Sequence, residues 1–291
     1  MNAHPGPLSL LTHPYQELVP VGEGRDALRA AGRKPGSALI WSMGTPRGCG
    51  ANPGVEGRPG GLPVIVVLPP VADITSDPDI IHVIQRCRPQ GILPFHEHLS
   101  AHDLAQVLRQ PPLDLAAEIT DYLTWRGLCA DRDTIHLIRR IIELSAELRT
   151  ITALSKSMYL SRRALGRRLM NQGLPVPSHW LQLGRLLRLA TRLQNSDATV
   201  FSIAYDSGYP DGFSLSNQMH RLIGYRPSQV REYLGWEWIV EEWLRQEADR
   251  GGLAPTIANA VSAGPPSVAG SPVVFRRRPA RRWRSKKPSE G

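Results

Sequence analysis

Apolar positions recur every three or four residues over most of the chain, and in one stretch they run without a break. Pro63-Val64-Ile65-Val66-Val67-Leu68 is continuous, rich in β-branched residues and bounded by prolines. This is the pattern of a strand buried on both faces of a parallel sheet. Helices are predicted over Asp79 to Arg86 and Ser100 to Arg109, with a short strand at Gly91-Ile92-Leu93-Pro94-Phe95 between them. Ser100 followed by Asp103 fits a capping box at the start of the second helix. Upstream, Leu18 to Val21 reads as a strand, Arg25 to Ala31 as a helix and Ala38 to Trp41 as a strand. Alternating strands and helices predict an α/β unit, a small parallel sheet covered by helices. The Gly- and Pro-dense run from Gly44 to Gly54 predicts a loop or a disordered insert.

From Leu113 onward the period is helical throughout. Helices are expected at Leu113 to Leu128 and at Asp133 to Leu148, the latter with an Ile135, Ile138, Ile141, Ile142 and Leu148 stripe and an N-cap from Asp131 or Asp133. Two helix-turn-helix units follow. In the first, Thr150 caps a helix burying Ile151, Leu154 and Met158, and Ser161 caps the next, which buries Leu165 and Leu169. In the second, Ile203, Ala204 and Ser207 precede Gly208, and Pro210-Asp211 opens a helix with Phe213, Leu215, Met219 and Leu222 at helical spacing. A bridging helix from Ser178 to Gln194 joins them, with an apolar face of Trp180, Leu183, Leu186, Leu187, Leu189 and Leu193 and with Arg185, Arg188 and Arg192 on other faces. The helix from Trp236 to Arg245 carries Trp236, Trp238 and Trp243 beside Glu237, Glu241 and Glu242. Beyond Gly251, an Ala, Gly, Pro and Ser composition ending in the Arg276 to Lys287 basic run predicts a disordered tail with salt-sensitive nucleic-acid affinity.

Charge sharpens this picture once it is divided along the chain. Residues 1–149 hold 14 Lys/Arg against 16 Asp/Glu, whereas residues 150–235 hold 11 against 4 and residues 251–291 hold 8 against 1. The basic charge thus concentrates on the helix-turn-helix units and the tail, as phosphate contacts require. Arg162, Arg163, Arg167 and Arg168 lie on one helix, where their mutual repulsion makes sense if a polyanion or an acidic partner meets them, the alternative being a solvated basic face. With 291 residues the chain has room for two domains and a tail. No run of about 18 apolar residues and no secretion-signal pattern occurs, and Cys49, Cys87 and Cys129 are too scattered for a disulfide or CxxC framework. A cytoplasmic protein without a membrane span is expected.

The residues Ile203-Ala204, Gly208-Tyr209, the polar helix to Met219, and Gly224-Tyr225-Arg226-Pro227-Ser228-Gln229-Val230-Arg231 resemble the signature of the AraC/XylS family of transcription regulators. The resemblance implies an all-α DNA-binding domain over residues 131–235 whose two units enter successive major grooves of double-stranded DNA, about 34 Å apart. It places Arg163, Gly166 and Arg167 towards bases and Arg162 and Arg168 towards phosphates, with Ser161 at the helix start. In the second unit Gly212, Phe213, Ser214, Ser216, Asn217, Gln218 and Arg221 are the candidates for contact with DNA. The arginine-rich helix is expected to be the tighter grip. Tyr159 departs from the family, whose turn usually has Gly, and Gly173 to Pro177 is longer than usual.

Residues 38–109 also resemble the second half of a response-regulator receiver domain. Ser42 stands where the phosphoacceptor Asp would be, Leu68 where Ser or Thr would be, and Leu93 where the Lys before Pro-Phe would be. Without that carboxylate and Lys, phosphorylation chemistry cannot run, so a degenerate pseudo-receiver used for contacts is expected over residues 1–112. Residues 113–130 would be a connector helix, 236–250 a Trp-rich helix and 251–291 the tail. The N-terminal half is expected to supply a homodimer face or to receive a signal. His96, His98 and His102 have a spacing that could bring imidazoles together on a metal, but a polar loop is the favoured reading, and no cofactor is expected. No Gly-x-Ser-x-Gly elbow, phosphate loop or His-Glu-x-x-His helix points to an enzyme. The alternative to a transcription regulator is an interaction adaptor that keeps the fold with only non-specific DNA affinity.

Overall fold

The computed structural model describes residues 8–22, 24–43, 55–68, 79–94, 99–128 and 131–263. The expected loop at Gly44 to Gly54, the basic run of the tail, Cys49 and Cys129 therefore lie outside the described residues. The N-terminal half is built on five strands, β1 (Leu8–Leu11), β2 (Leu18–Pro20), β3 (Ala38–Ser42), β4 (Val64–Val67) and β5 (Gly91–Leu93), in the spatial order β2-β1-β3-β4-β5. Strands β3, β4 and β5 pair in parallel, with Ile40 opposite Ile65 and Val66 opposite Ile92.

The expectation of a parallel sheet is corrected by β1, which runs antiparallel to both β2 and β3. Residues 12–17 alone connect β1 to β2, long enough for a hairpin and too short for the crossover that parallel pairing needs. The sheet is therefore mixed, and its parallel part coincides with the stretch that resembles a receiver.

Helices α1 (Arg25–Ala31) and α2 (Asp79–Cys87) cover one face, where Leu10, Leu39, Trp41, Val64 and Val66 pack with Leu28, Ala31, Ile84 and Cys87. Burial pushes the Cys87 thiol up to about 11, which leaves it un-ionised and unreactive. Helix α3 (Ala101–Arg109) covers the opposite face with Leu104, Ala105 and Leu108 against Leu11, Ile40, Ile65 and Val67. Its start is the expected capping box: the Asp103 amide donates to Ser100 Oγ at 3.2 Å and the Ser100 amide to Asp103 Oδ2 at 3.0 Å.

The C-terminal half is helical: α4 (Leu115–Trp125), α5 (Arg132–Leu144), α6 (Ile151–Ser157), α7 (Arg162–Asn171), α8 (Pro177–Asn195), α9 (Val200–Asp206), α10 (Gly212–Ile223), α11 (Pro227–Glu232), α12 (Glu237–Asp249) and α13 (Pro255–Ala263). All share one core, in which Trp180 of α8 meets Trp243 of α12 edge-on at 4.8 Å. Helix α13 lies inside the stretch expected to be disordered. Its Ile257 and Val261, one turn apart, are buried in the same core, which gives an otherwise Ala-rich segment a reason to fold.

The two halves are joined by buried charge. Arg126, just past α4, and Glu241 of α12 form a two-pronged ion pair at 2.6 and 3.1 Å with side chains 0% and 2% exposed. Tyr122 donates its hydroxyl to Glu241 Oε1 at 2.7 Å and accepts from the Gly61 amide at 2.7 Å. A Cβ at neighbouring Gly60 would fall on the Glu241 carboxylate, so only glycine fits there. Arg58 is wholly buried, donates to the carbonyls of Leu62, Cys87 and Arg88, and stacks 4.1 Å above the Trp125 ring. Arg88 reaches Glu237 of α12 at 2.6 Å and Glu118 of α4 at 2.5 Å. Helices α4 and α12 thus act as the shared wall between the sheet and the helical core.

Candidate nucleic-acid interface

The first unit is α6, a turn and α7. The Ala153 amide donates to Thr150 Oγ1 at 3.2 Å and the Ala164 amide to Ser161 Oγ at 3.1 Å, so both helices start on the expected caps. Between them Tyr159 has φ of 52°, the left-handed region, and the Leu160 amide returns to the Ser155 carbonyl at 3.0 Å. The conformation explains why the family favours Gly there, and Tyr159 adopts it with its side chain 95% exposed. Leu154, Leu165 and Leu169 are fully buried, which leaves Arg162, Arg163, Arg167 and Arg168 in solvent. The expectation that Gly166 faces bases is corrected: it is buried beside Leu165 and Leu169, and a Cβ there would come within 3.9 Å of Met170 Cε.

The second unit repeats the plan with one more residue in its turn. The Ser202 amide donates to Thr199 Oγ1 at 3.1 Å, Gly208 takes φ of 74°, and the Tyr209 amide returns to the Ala204 carbonyl at 2.9 Å. Asp211 caps α10 by accepting from the Ser214 amide at 2.6 Å, and that hydrogen bond holds its carboxyl below the ordinary 3.8. Leu215, Met219, Leu222 and Ile223 are buried, and Gly224, at φ of 79°, ends the helix. Phe213, Asn217 and Arg221 are exposed, whereas Gly212, Ser214, Ser216 and Gln218 are half-buried.

Helix α8 holds the two units to one another. Gly184 admits the close crossing of α5, since a Cβ there would strike Ser145. The bridge arginines are engaged rather than free: Arg188 donates to the Ile142 carbonyl at 3.0 Å, Arg185 to the Ser207 carbonyl at 3.4 Å, and Arg192 pairs with Asp206. Arg149 also reaches the Gly208 carbonyl at 3.4 Å. Arg149, Arg185 and Arg188 thus satisfy carbonyls at the C-terminal ends of α5 and α9, where a helix presents partial negative charge, while Arg192 meets the Asp206 carboxylate. They line a cleft of about 260 Å³ between the chain just after α5, helix α8 and the end of α9.

Two exposed aromatics went unmarked in the sequence. Phe201, 63% exposed, and Tyr205, 73% exposed, lie one turn apart on α9, beside the start of α10. Their signal was phase: Ile203 and Ala204 fix the buried side of α9, which puts positions 201 and 205 outside. His102 is exposed on α3 with Nε2 3.2 Å from Gln106 Nε2, and His96 and His98 lie outside the described residues. Among the described residues no group of three His, Cys, Asp or Glu could hold a metal ion, and no helix is long and apolar enough to cross a membrane.

Residues 154–233 match the family model described as a helix-turn-helix domain. The HTH-type transcriptional activator RhaS of Shigella boydii serotype 18 is 32% identical over 80 residues, 28% of this chain and 29% of that protein. The protein of the same name from Escherichia fergusonii is 30% identical over 97 residues, 33% of this chain and 35% of its own. The chain spans about a third of the length of these curated relatives. No solved structure matches. The matched region contains both left-handed turns, both capped second helices and the bridge between them, and with these features the chain carries an AraC/XylS-type helix-turn-helix domain.

Proposed function

We propose that the protein is a sequence-specific DNA-binding transcription regulator in which α7 and α10 enter successive major grooves on one side of the duplex. The observation that carries this is the surface of α7: four exposed arginines on a capped helix whose other face is locked into the core. Arg163 and Arg167, one turn apart, present the fork that bonds guanine O6 and N7, while Arg162 and Arg168 flank them towards phosphates. The free amides at the starts of α7 and α10 add positive potential at the same ends. The bridge arginines act structurally, clamping α5 and α9 to α8 so that the spacing of the two readers is fixed.

The N-terminal half is read as a pseudo-receiver that makes contacts, including those of a homodimer, and performs no phosphoryl transfer. Ser42 ends β3 and Leu93 ends β5, so the two strand ends where a receiver keeps its Asp and Lys carry neither. Its tight joint with α4 and α12 makes it suited to pass a binding event to the DNA-reading units.

The test is a gel-shift assay on a site enriched from random duplex DNA. Arg163→Ala with Arg167→Ala should abolish sequence-specific binding, with helicity by circular dichroism unchanged. Full operator affinity in this variant would overturn the assignment. Failure of the native protein to enrich any consensus would favour the adaptor reading instead.

A further inference from the structure

The two second helices share one register counted from their caps. Ser161 and Asp211 are the caps, Leu165 and Leu215 fill the fourth position after them, and Leu169 and Met219 the eighth, all fully buried. The second and sixth positions face outward in both helices, one turn apart and therefore on one face. In α7 they are Arg163 and Arg167. In α10 they are Phe213 and Asn217.

This substitution reverses the chemistry of the surface. Phe213 is 82% exposed, and Phe201 and Tyr205 extend the aromatic surface onto α9. The backbone of Gly212 lies against Phe201, where an added Cβ would come 3.7 Å from its Cα. Helix α10 has no Lys or Arg before Arg221 in its last turn. A large aromatic ring in water contributes nothing to the folded chain, and an anionic backbone offers it no partner. The one apolar group in a major groove is the C5-methyl of thymine, and the side chains that best match adenine N6 and N7 are Asn and Gln.

We infer that Phe213 is a specificity-determining residue that packs on a thymine C5-methyl while Asn217 reads adenine, so that the operator is composite, with guanine under α7 and an A·T half-site under α10. The inference rests on the proposed reading of α7 and α10 as the DNA-entering helices.

The experiment begins with selection from random duplex DNA by the full chain and by Phe213→Ser, an exposed substitution that leaves the core intact. The native protein should enrich a motif with guanine in one half-site and thymine in the other, and Phe213→Ser should lose the thymine preference alone. Exchanging that thymine for uracil removes only the methyl group. It should weaken the native protein about fourfold, as loss of one buried methyl predicts, and leave Phe213→Ser unaffected. Replacing the T·A pair by 5-methylcytosine·guanine should retain more affinity than unmethylated cytosine·guanine does, which separates the methyl contact from the pairing edge. A native motif without thymine in the second half-site, or an equal response of both proteins to uracil, would overturn the inference and leave the regulator reading standing. Failure of the native protein to enrich any motif overturns both.

Discussion

Replacing Glu241 by Gln removes one charge from a site where, among the described residues, no other carboxylate pairs with Arg126. Both side chains are almost completely buried, and the further acceptor of Arg126 Nη2 among the described residues is the Val261 carbonyl, at 3.3 Å. Burial opposes the charge on Arg126, yet the adjacent Glu241 carboxylate outweighs it and raises the guanidinium above its ordinary range. Without that carboxylate the burial cost stands alone. Breaking such a pair from one side costs about 3–5 kcal/mol, a large share of the roughly 5–15 kcal/mol that holds a domain together. The double variant Arg126→Met with Glu241→Leu should recover much of this. It would leave about 1–3 kcal/mol for the Tyr122 hydroxyl, which loses its acceptor. Arg140→Ala is the control, since its pair with Glu143 is half-exposed and worth about 0.2–1 kcal/mol at most. Equilibrium urea unfolding, followed by far-UV circular dichroism and by tryptophan fluorescence, measures all three. Both probes should report one transition, because the Gly60–Gly61 loop of the sheet half shares the site with α4 and α12. A Glu241→Gln loss no larger than that of Arg140→Ala would refute the reasoning.

Two further outcomes follow from local geometry. Tyr159→Gly relieves a left-handed backbone at an exposed position, and against the greater freedom it gives the unfolded chain it should be neutral or stabilising by up to about 1 kcal/mol; a clearly lower thermal midpoint would contradict this. The Asp211 carboxyl is held low by the Ser214 amide, so its support of α10 is complete above the ordinary value of 3.8 and fades as pH falls through its lower folded value. The Ser214 amide resonance should therefore titrate only under acid conditions and lose that titration in Asp211→Asn, whereas an unchanged titration in the variant would assign it to another group.

The elements most legible in the sequence were those whose cause is local. Strand β4 announced itself through an unbroken β-branched run, α3 through its capping box, and the paired helix-turn-helix units through caps at Thr150, Ser161 and Asp211 with buried residues at helical spacing. The outward arginines of α7 followed from the same phase, because fixing Leu165 and Leu169 inside leaves positions 162, 163, 167 and 168 outside. Strand β1 was not found: Leu8-Ser9-Leu10-Leu11 is four residues long, too short to separate from other apolar runs by pattern alone. Helix α13 was hidden by composition, since its only large apolar side chains, Ile257 and Val261, are joined in the core contact by nothing bigger than Ala258 and Ala260.

By itself, then, the sequence determined the helix-turn-helix units, their caps and the concentration of basic charge, because each depends on residues within a turn or two of one another. Tertiary structure alone decided which charged residues of α8 and α12 are buried or clamped. The sequence places Glu237 and Glu241 beside the tryptophans of one helix, and Arg185, Arg188 and Arg192 on the faces of the bridge away from its apolar stripe, with no partner named for any of them. Yet the two glutamates are 1% exposed, and the three arginines are spent on α5 and α9. The reason is that a buried or clamped charge is set by its partner, and Arg88 and Arg126 stand 149 and 115 residues away along the chain from the carboxylates they meet. No local period encodes a pairing at that separation, and only the packing of α4 and α12 against the sheet brings those charges together.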